Sequence, residues 1–326
     1  MDVTFVAGTV RVRAPATSAN LGPGFDSLGL ALALYDDVTA RVADGGCHVT
    51  VTGEGAGELP GDETHLVVRA MHAAFDRMGA RPPGLVVECV NRIPQARGLG
   101  SSSAAIVAGI QLARGLVAGP AAVRLDDAGA LRLAAELEGH PDNAAPCLLG
   151  GFTIAWTDGS GARAVHLKPA PGVHPTLFVP DGRGLTADAR AALPASVPHA
   201  DAARNAGRAA LLVHALTAEP ELLFAATEDR LHQDYRAPGM PATAALVDAL
   251  RAVGVAAVVS GAGPTVLALT DPPPDFAPDL ATAGAGAAGI RWASTRLELS
   301  NDGARIEPEA RLDTPSEAGV AAGRKS

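Results

Sequence analysis

Residues 94–107 read PQARGLGSSSAAIV, a run that places two glycines and three serines between a proline and an alanine-rich segment. The apolar residues 85–93 before it predict a β-strand, and residues 101–116 predict a helix. A turn between them would present free backbone N–H groups and the positive end of the helix dipole at one point. Such a point binds anions, phosphate above all, and Gly98 and Gly100 would let a ligand approach because they carry no Cβ. The segment is therefore a candidate phosphate-binding turn.

Two better-known phosphate-binding motifs do not fit this segment. A P-loop would need GxxxxGK[ST], and no lysine follows these glycines. A dinucleotide-binding fingerprint would need a third glycine at position 103, where a serine stands, and an N-terminal βαβ unit. A glycine turn whose serine merely caps the following helix is as compatible with these residues as a phosphate site. Other segments must decide between the two.

Length and composition indicate a soluble protein with two domains. The 326 residues exceed the usual size of one hydrophobic core, and 48% of them are hydrophobic. The formal net charge of −9 argues against nucleic acid or a membrane surface as a partner. The N-terminus lacks the apolar core of a signal peptide and no apolar run approaches transmembrane length, so we expect a cytoplasmic protein. Three cysteines without Cys/His ligand spacing predict reduced thiols and no zinc site.

The pattern of apolar and polar residues predicts mixed strands and helices. Strands are predicted at residues 10–14, 35–42, 47–51, 85–93, 150–157, 175–179, 256–260, 266–270 and 292–297. Helices are predicted at residues 64–78, 101–116, 125–138 and 242–253, with a long helical stretch at 200–224. Asp44, Gly45 and Gly46 predict a hairpin turn, and the polar residues beyond 299 predict a disordered tail. Because strands and helices do not alternate regularly, an α+β fold is favoured over a doubly wound sheet.

Three further segments decide how the glycine–serine turn is interpreted. They are PATSANLGPGFDSLGLAL (residues 15–32), EGHPDNAAPCLLGGF (138–152) and SGAGPTVLAL (260–269). In this order, and together with PQARGLGSSSA, they resemble the GHMP small-molecule kinase superfamily over roughly residues 11–270. The superfamily's PxxxGLGSSAA loop is matched at every defining position, apart from a small insertion-like variation at Ser103-Ala104. LTADARAALP (185–194) and LHQDYR (231–236) add a closer resemblance to the homoserine kinases within it.

The resemblance implies a two-domain α+β GHMP kinase fold. Residues 1–165 would form an ATP-binding N-terminal domain related to ribosomal protein S5 domain 2, and residues 166–300 a ferredoxin-like C-terminal domain, with a tail at residues 301–326. The implied reaction is ATP-dependent phosphorylation of the side-chain hydroxyl of L-homoserine to O-phospho-L-homoserine, on the path to threonine. ATP and Mg²⁺ are the implied cofactors, and a homodimer is the implied assembly.

The resemblance also assigns residues to the two substrates. A guanidinium fork matches a carboxylate, so Arg190 and Arg236 are expected to hold that group of the amino acid. Asp26 would face the ammonium, and Asn20 would hydrogen-bond the substrate. The second glycine turn is compatible with a plain hairpin as well as with a nucleotide contact. The expected ATP-binding residues are Pro94, Gly98, Leu99, Gly100, Ser101, Ser102, Ser103, Ala104, Gly261 and Gly263.

A metal site is implied beside the glycine–serine turn. Mg²⁺ prefers carboxylate, hydroxyl and phosphate oxygens, so Ser102 and Glu138 are its expected ligands. Ser101 or Ser103 would replace Ser102 if the register differs, and Glu136 is the alternative carboxylate.

The transfer step is expected to involve three residues of one motif. Asn143 would lie nearest the reacting hydroxyl, with His140 in the same pocket. Asp142 stands where several superfamily members have a base, but homoserine kinases resemble a scheme in which no side chain clearly takes the proton. We therefore expect direct in-line transfer, with Asp142 structural or polarising, because the loose transition state needs little activation of the nucleophile.

Rival functions follow from the same residues. Another GHMP kinase would act on mevalonate, a cytidine-diphospho sugar alcohol or threonine. Mevalonate lacks the ammonium that Asp26 would face, whereas threonine has the same ammonium and carboxylate groups as homoserine. A non-catalytic nucleotide-binding regulator is disfavoured by the full Ser, Glu, Asn and Arg set, and a dinucleotide-binding oxidoreductase by the missing third glycine. Because threonine is so similar to homoserine, feedback binding of threonine in the substrate pocket is a further hypothesis.

Overall fold

The protein consists of two large β-sheets with helices packed on them. Its structure is a computed structural model, which describes residues 4–119, 125–184, 186–283 and 290–307. Its strands, β1 to β13, are Thr4–Phe5, Val10–Ala19, Leu28–Ala43, Gly46–Gly53, Gly84–Asn91, Val117–Ala118, Phe152–Asp158, Gly161–Leu167, Thr176–Pro180, Ala257–Val259, Val266–Ala268, Trp292–Arg296 and Arg305–Glu307. Its helices, α1 to α10, are Leu66–Met78, Ser101–Leu116, Asp127–Glu138, Pro141–Leu149, Thr186–Ala191, His199–Thr217, Leu223–Ala226, Gln233–Arg236, Pro241–Ala252 and Pro278–Thr282. The predicted α+β class is confirmed.

Helix α1 shows how the sequence sets these elements. Its residues Val67, Met71 and Phe75 are buried and recur every four positions, so one face of the helix lies on the core. Gly79 ends the helix in the left-handed conformation, at a φ of 67°. The helix predicted at residues 64–78 is therefore confirmed, as is the helix predicted at residues 101–116.

The larger sheet mixes parallel and antiparallel strands. Its order is β13-β2-β3-β5-β4, while β7 pairs with the beginning of the long strand β3 and with β8. β4 and β5 run parallel and are joined through α1; the other neighbours in this sheet are antiparallel. Helix α2 packs against β2, and α4 packs against β2, β3 and β7. The N-termini of α2 and α4 are thereby held on the same sheet.

The smaller sheet is antiparallel throughout, in the order β10-β11-β9-β12. Helix α9 packs on it through Leu246 and Leu250, which share a buried cluster with Phe178 and Trp292. This arrangement fits the expected ferredoxin-like fold, and the return strand predicted after the second glycine turn is confirmed as β11. The domain limits at residues 165 and 300 stay predictions. Within the described ranges, no helix combines the length and apolar character that crossing a bilayer requires.

Two local features differ from the predictions. The predicted hairpin at Asp44, Gly45 and Gly46 is wrong, because β5 lies between β3 and β4 and pairs with both. The local turn signal is real, but the partner of β4 arrives only after α1. Helix α4 was not predicted, since Pro141 and Pro146 are unfavourable in a helix interior; Pro141 is accommodated because it lies in the first turn.

The prediction of a disordered tail from residue 301 is wrong for residues 301–307. Strand β13 pairs antiparallel with β2 and adds an edge to the larger sheet. Just before it, the Ser300 carbonyl accepts from the Gly151 amide at 2.7 Å, and the Ala304 amide donates to the Cys147 carbonyl at 2.7 Å. This segment therefore holds the C-terminal end of α4. Residues 308–326, the rest of the predicted tail, lie outside the described residues.

Candidate active site

The glycine–serine turn leads from β5 into the N-terminus of α2. Gly98 and Gly100 have φ angles of 75° and 68°, which glycine adopts without strain. Gly100 is the N-cap of α2 and forms no side-chain cap, so the alternative of a serine cap is wrong. The backbone N–H groups of the first turn are therefore available to an anion, and the positive end of the helix dipole points the same way.

The second glycine turn packs directly against the first. The Ser260 hydroxyl donates to the Gly98 carbonyl at 2.7 Å. The Gly261 amide donates to the Ala19 carbonyl at 3.0 Å, which ties this turn to the end of β2. A Cβ on Gly98 would collide with the Ser260 carbonyl and would come 2.9 Å from the Gly263 nitrogen. Position 98 therefore requires glycine for packing as well as for backbone conformation.

Helix α4 brings a second N-terminus to the same place. His140 is its N-cap, and Asp142 and Asn143 follow in the first turn. The Thr17 hydroxyl donates to Asn143 Oδ1 at 2.8 Å, so the Nδ2 group is the part of this amide that can donate to a ligand. A Cβ on Gly100 would collide with the Thr17 hydroxyl and lie 3.1 Å from Asn143 Oδ1. The two helix N-termini are therefore in close contact.

His140 and Asp142 form a shielded hydrogen-bonded pair. His140 Nδ1 lies 2.6 Å from Asp142 Oδ1, and the aspartate side chain is only 4% exposed. The hydrogen bond with Asp142 raises the pKa of His140 above its ordinary value, against the opposing effect of burial. Asp142 thus has a partner within its own helical turn.

Asp26 and Arg190 form a bidentate ion pair with N–O distances of 2.9 and 3.1 Å. This hydrogen bonding raises the pKa of Arg190. Asp26 and Asn20 have left-handed φ angles of 54° and 70°, and the Asp26 amide donates to Asn20 Oδ1 at 2.9 Å. The Asn20 amide group donates in turn to the Gly261 carbonyl at 2.8 Å. The predicted substrate residues of the first segment are thereby fixed against the second glycine turn.

Arg236 is a buried guanidinium, only 3% exposed. It donates to the carbonyls of Ala189 at 3.0 Å and Gly261 at 3.3 Å, and to His232 Nδ1 at 3.2 Å. No carboxylate among the described residues lies within ion-pair distance of it. Burial, followed by the positive charge of Arg190, lowers the pKa of Arg236. A buried cation in this setting favours an anionic ligand.

His232 and Phe25 support the two arginines and were missed by the sequence predictions. The Phe25 ring stacks on His232 with centroids 5.1 Å apart, and lies 5.4 Å from Arg236 and 5.9 Å from Arg190. His232 accepts on Nδ1, so its Nε2 carries the proton and donates to the Gly22 carbonyl at 2.9 Å. Burial lowers the pKa of His232, which agrees with a neutral ring. Both residues lie inside the motif segments, but no local pattern reveals that they meet.

Ser102 and Glu138 present oxygen ligands at the start of α2. The Ser102 hydroxyl donates to Glu138 Oε1 at 2.5 Å. Glu136, the alternative carboxylate, instead pairs with Arg77 at 2.6 Å and does not line the cavity. Among the described residues, no group of three or more His, Cys, Asp or Glu side chains could hold a metal ion. The Ser102 and Glu138 oxygens fit Mg²⁺ provided that phosphate oxygens complete its coordination.

Most of these groups line one cavity of about 470 Å³; Thr17, Phe25, His232 and Ser260 stand behind its lining. Ser103 and Gly263 are the two predicted site residues outside the lining: Ser103 is fully buried within α2, and Gly263 packs against Met240. Neither reaches the cavity directly. The predicted residues that do line it are Asn20, Asp26, Pro94, Gly98, Leu99, Gly100, Ser101, Ser102, Ala104, Glu138, His140, Asp142, Asn143, Arg190, Arg236 and Gly261.

Asp36 and His65 also line the cavity and were not predicted. Asp36 accepts from the amides of Arg92 and Ile93 at 2.6 and 2.9 Å, and burial raises its pKa to about 6. His65 caps α1, because its Nδ1 accepts from the Val67 amide at 3.3 Å. Its Nε2 therefore carries the proton, and this buried donor has no hydrogen-bond partner among the described residues. The cap could have been predicted from position, but the orientation of Nε2 could not.

The site combines an uncapped helix N-terminus with an Asp–Arg pair, and it is built on the two sheets described above. This combination indicates a small-molecule kinase. The family model for the N-terminal domain of GHMP kinases matches residues 65–151. The model for the C-terminal domain of GHMP kinases matches residues 202–290. The fold and the site thus define the GHMP kinase class.

Relatives within this class are more specific. A homoserine kinase of Streptomyces coelicolor is 59% identical over 306 residues, covering 94% of this chain and 97% of the relative. The chain belongs to the homoserine kinase family. A homoserine kinase of Streptomyces avermitilis is 58% identical over 306 residues, covering 94% and 98% of the two chains. The crystal structure of a homoserine kinase from Cytophaga hutchinsonii matches with a TM-score of 0.77 at 26% identity, over 93% of this chain and 98% of that one.

Proposed function

We propose that the protein transfers the γ-phosphate of ATP to the side-chain hydroxyl of L-homoserine, giving O-phospho-L-homoserine. One observation carries the proposal: a single cavity contains both an uncapped helix N-terminus and the Asp26–Arg190 pair with the buried Arg236. The first feature suits the phosphates of a nucleotide, and the second suits an amino acid. The named activity of the relatives is the same.

The amino-acid end of the cavity is complementary to a zwitterion. A ligand placed between Asp26 and Arg190 would offer its ammonium to the first and its carboxylate to the second. Arg236 adds a second guanidinium, and its burial makes an anionic partner favourable. Asn20 completes this end of the site. With both charged groups of homoserine held, its side-chain hydroxyl extends toward the glycine–serine turn.

The nucleotide would bind at the glycine–serine turn. The uncapped amides at the N-terminus of α2 suit the phosphates, and Gly98 and Gly100 permit their close approach. His65 offers a buried Nε2–H to an acceptor on the base or the ribose. Ser102 and Glu138 would hold Mg²⁺, which when bound neutralises the charge that develops on the transferred group.

The proposed transfer is direct and in line. Asn143 Nδ2 donates to the reacting hydroxyl or to the oxygens of the transferred group, since its Oδ1 already accepts from Thr17. Asp142 hydrogen-bonds His140 and raises its pKa, so it orients a partner instead of standing free as a base. Because phosphoryl transfer depends mainly on positioning and charge neutralisation, no stronger base is needed. As the bond from the hydroxyl oxygen to the γ-phosphorus forms, the bond from that phosphorus to ADP breaks, and the hydroxyl proton passes to an oxygen of the transferred phosphoryl group.

Measurement of ADP release with MgATP tests this function. L-Homoserine, L-threonine, L-serine and mevalonate are supplied one at a time, and L-homoserine alone should support turnover. Arg236→Ala should raise the KM for homoserine by about thirtyfold or more, because losing one partner of a buried charge pair costs at least 2 kcal/mol. Arg230→Ala is the matched control: Arg230 is half-exposed, pairs with Asp234 and does not line the cavity.

The outcomes separate the two ends of the site. If no amino acid supports ADP release while ATP still binds, the nucleotide end is correct and the substrate is wrong. If mevalonate is phosphorylated, the zwitterion interpretation of Asp26 and Arg190 fails. If Arg230→Ala raises the KM as much as Arg236→Ala, the effect is not specific to the pocket.

L-Threonine is the second proposed ligand of the amino-acid end. It shares the ammonium and carboxylate of homoserine but carries its hydroxyl one carbon closer to them, so it fits the charged groups without presenting the hydroxyl at the same point. Competitive inhibition against homoserine is the expected result. Unchanged rates at saturating threonine would contradict it.

A homodimer in the cytoplasm completes the proposal. Its support is the resemblance to the family, and light scattering of the purified chain measures the assembly directly. A monomeric mass at micromolar concentration would contradict the dimer. Fractionation of the source cells tests the location.

A further inference from the structure

Arg97 has an unexpected set of partners for a cation in a phosphate-binding turn. It lies directly before Gly98, yet it donates to three backbone carbonyls: from Nε to Pro180 at 3.0 Å, from Nη1 to Gln95 at 3.0 Å and from Nη2 to Asp181 at 3.1 Å. The rigid guanidinium fork is well suited to bridging several acceptors at once. Arg97 therefore joins the turn to the end of β9, in addition to lining the cavity.

Residues 180–184, which we call the strap, run from the end of β9 past the first glycine turn. Besides the two bonds from Arg97, the Gly184 amide donates to the Ala96 carbonyl at 2.8 Å. Three hydrogen bonds thus connect the strap to residues 96–97 of the turn. A fourth contact is exposed: Arg183 pairs with Glu58 at 2.9 and 3.2 Å. The strap is fastened to the turn at both of its ends.

The chain leads from the strap into helix α5, which contributes to the amino-acid end of the cavity. Helix α5 begins at Thr186, two positions after the strap. It carries Arg190, which pairs with Asp26, and its Ala189 carbonyl accepts from Arg236. Both arginines assigned to the substrate carboxylate are therefore tied to α5. One short stretch of chain therefore connects the turn to the helix that contacts both arginines.

We propose that Arg97 is a positioning residue that couples the two ligand sites. Phosphates held at the turn fix Arg97, Arg97 fixes the strap, and the strap fixes α5 where Arg190 and Arg236 receive the amino-acid carboxylate. The inference rests on the proposed function. Coupling of this kind is reciprocal, so homoserine tightens nucleotide binding by the same factor as nucleotide tightens homoserine binding. Arg97 makes no phosphate contact in this role.

Isothermal titration calorimetry on the full chain tests the coupling. The Kd of a non-hydrolysable ATP analogue is measured with and without saturating L-homoserine. In the wild-type protein homoserine should tighten analogue binding by about fivefold or more, the usual range for coupled sites. Arg97→Met keeps the length of the side chain but removes every donor. It should bring the coupling factor close to one, while the Kd for the analogue alone changes by less than about threefold because no charge contact to phosphate is lost.

Two further variants control the experiment. Arg183→Gln removes an exposed ion pair from the same strap but keeps the hydrogen bonds of Arg97, so it should retain the wild-type coupling factor. Arg97→Lys serves if the methionine variant does not fold, since a single ammonium cannot reproduce the fork toward the three carbonyls. The same criteria apply to it.

Each remaining outcome overturns a defined part of the inference. A wild-type coupling factor in the Arg97 variant removes the positioning role. A loss of about thirtyfold or more in analogue affinity without homoserine would mean that Arg97 binds phosphate. If the wild-type protein binds both ligands without coupling, the inference fails and the proposed function stands. If it binds the analogue but not homoserine, the proposed function fails as well.

Discussion

At the scale of single residues, Asp142 discriminates most sharply between mechanisms. Asp142→Asn should lower kcat by about two- to tenfold, because the amide can still accept from His140 and the in-line geometry is kept. Loss of a general base would instead cost about 10²- to 10⁴-fold. Steady-state kinetics at saturating ATP and homoserine measures the difference. A fall in kcat of about 10³-fold or more would show that Asp142 takes the proton.

The pH dependence of thermal stability provides a control for the Asp142→Asn variant. Asp142 raises the pKa of His140 above the unfolded value of about 6.5, so the pair stabilises the folded state fully below that pH. This contribution is lost as the pH rises through the folded-state pKa. The difference in Tm between the wild-type protein and Asp142→Asn should therefore be largest near pH 6 and shrink at alkaline pH. A difference independent of pH would mean that the variant disturbs the site in another way.

At the scale of elements, the contact between the two glycine turns can be tested at Gly98. Gly98→Ala adds a Cβ that collides with the Ser260 carbonyl, at a φ of 75°. Gly57→Ala is the matched control, since Gly57 has a φ of 77° and nothing within 4 Å of an added Cβ. Both variants incur about 1–2 kcal/mol for a left-handed alanine. Gly98→Ala should lose clearly more unfolding free energy in urea, and its KM for ATP should rise.

The comparison of the two variants decides what the glycine does. Equal losses of stability would mean that the second turn yields to the added Cβ, and packing at Gly98 would then be unimportant. A normal KM for ATP in Gly98→Ala would separate this contact from nucleotide binding.

Elements whose signal is local could be predicted from the sequence, and those whose partner is distant could not. Helix α2 was predicted with its observed limits because residues 101–116 are rich in strong helix formers. Helix α4 was missed because Pro141 and Pro146 oppose a helix unless the first falls in the first turn. Strand β13 has three residues, too few for a recognisable period, and it is held by partners that lie far away in the chain: it pairs with β2 and contacts α2. The sequence of the strand itself gives no sign of such distant partners.

At the scale of the whole molecule, the site is assembled from segments that lie far apart in the chain. Asp26 and Arg190 are separated by 164 positions, and Ser260 and Gly98 by 162. Composition and periodicity do not predict such contacts; the resemblance of whole motifs to a family did assign Asp26, Arg190 and Gly98 to the site, but not Ser260. Where a residue lies outside those motifs, as Asp36 and His65 do, its place in the cavity became visible only in the structure.

Removal of β13 and the residues just before it tests whether this C-terminal segment supports the site. A chain ending at residue 299 loses β13 and, with it, the bonds from Gly151 to Ser300, from Ala304 to Cys147 and from Gln111 to Ala304. A chain ending at residue 307 keeps them and is the control. The shorter chain should be less stable by at least about 3 kcal/mol in urea unfolding, because each bond contributes about 1 kcal/mol. Its kcat should fall as well, since α4 carries Asp142 and Asn143 and loses the support at its C-terminal end. Equal stability and equal kcat in the two chains would show that β13 only covers an edge, and that α4 is positioned by the sheet alone.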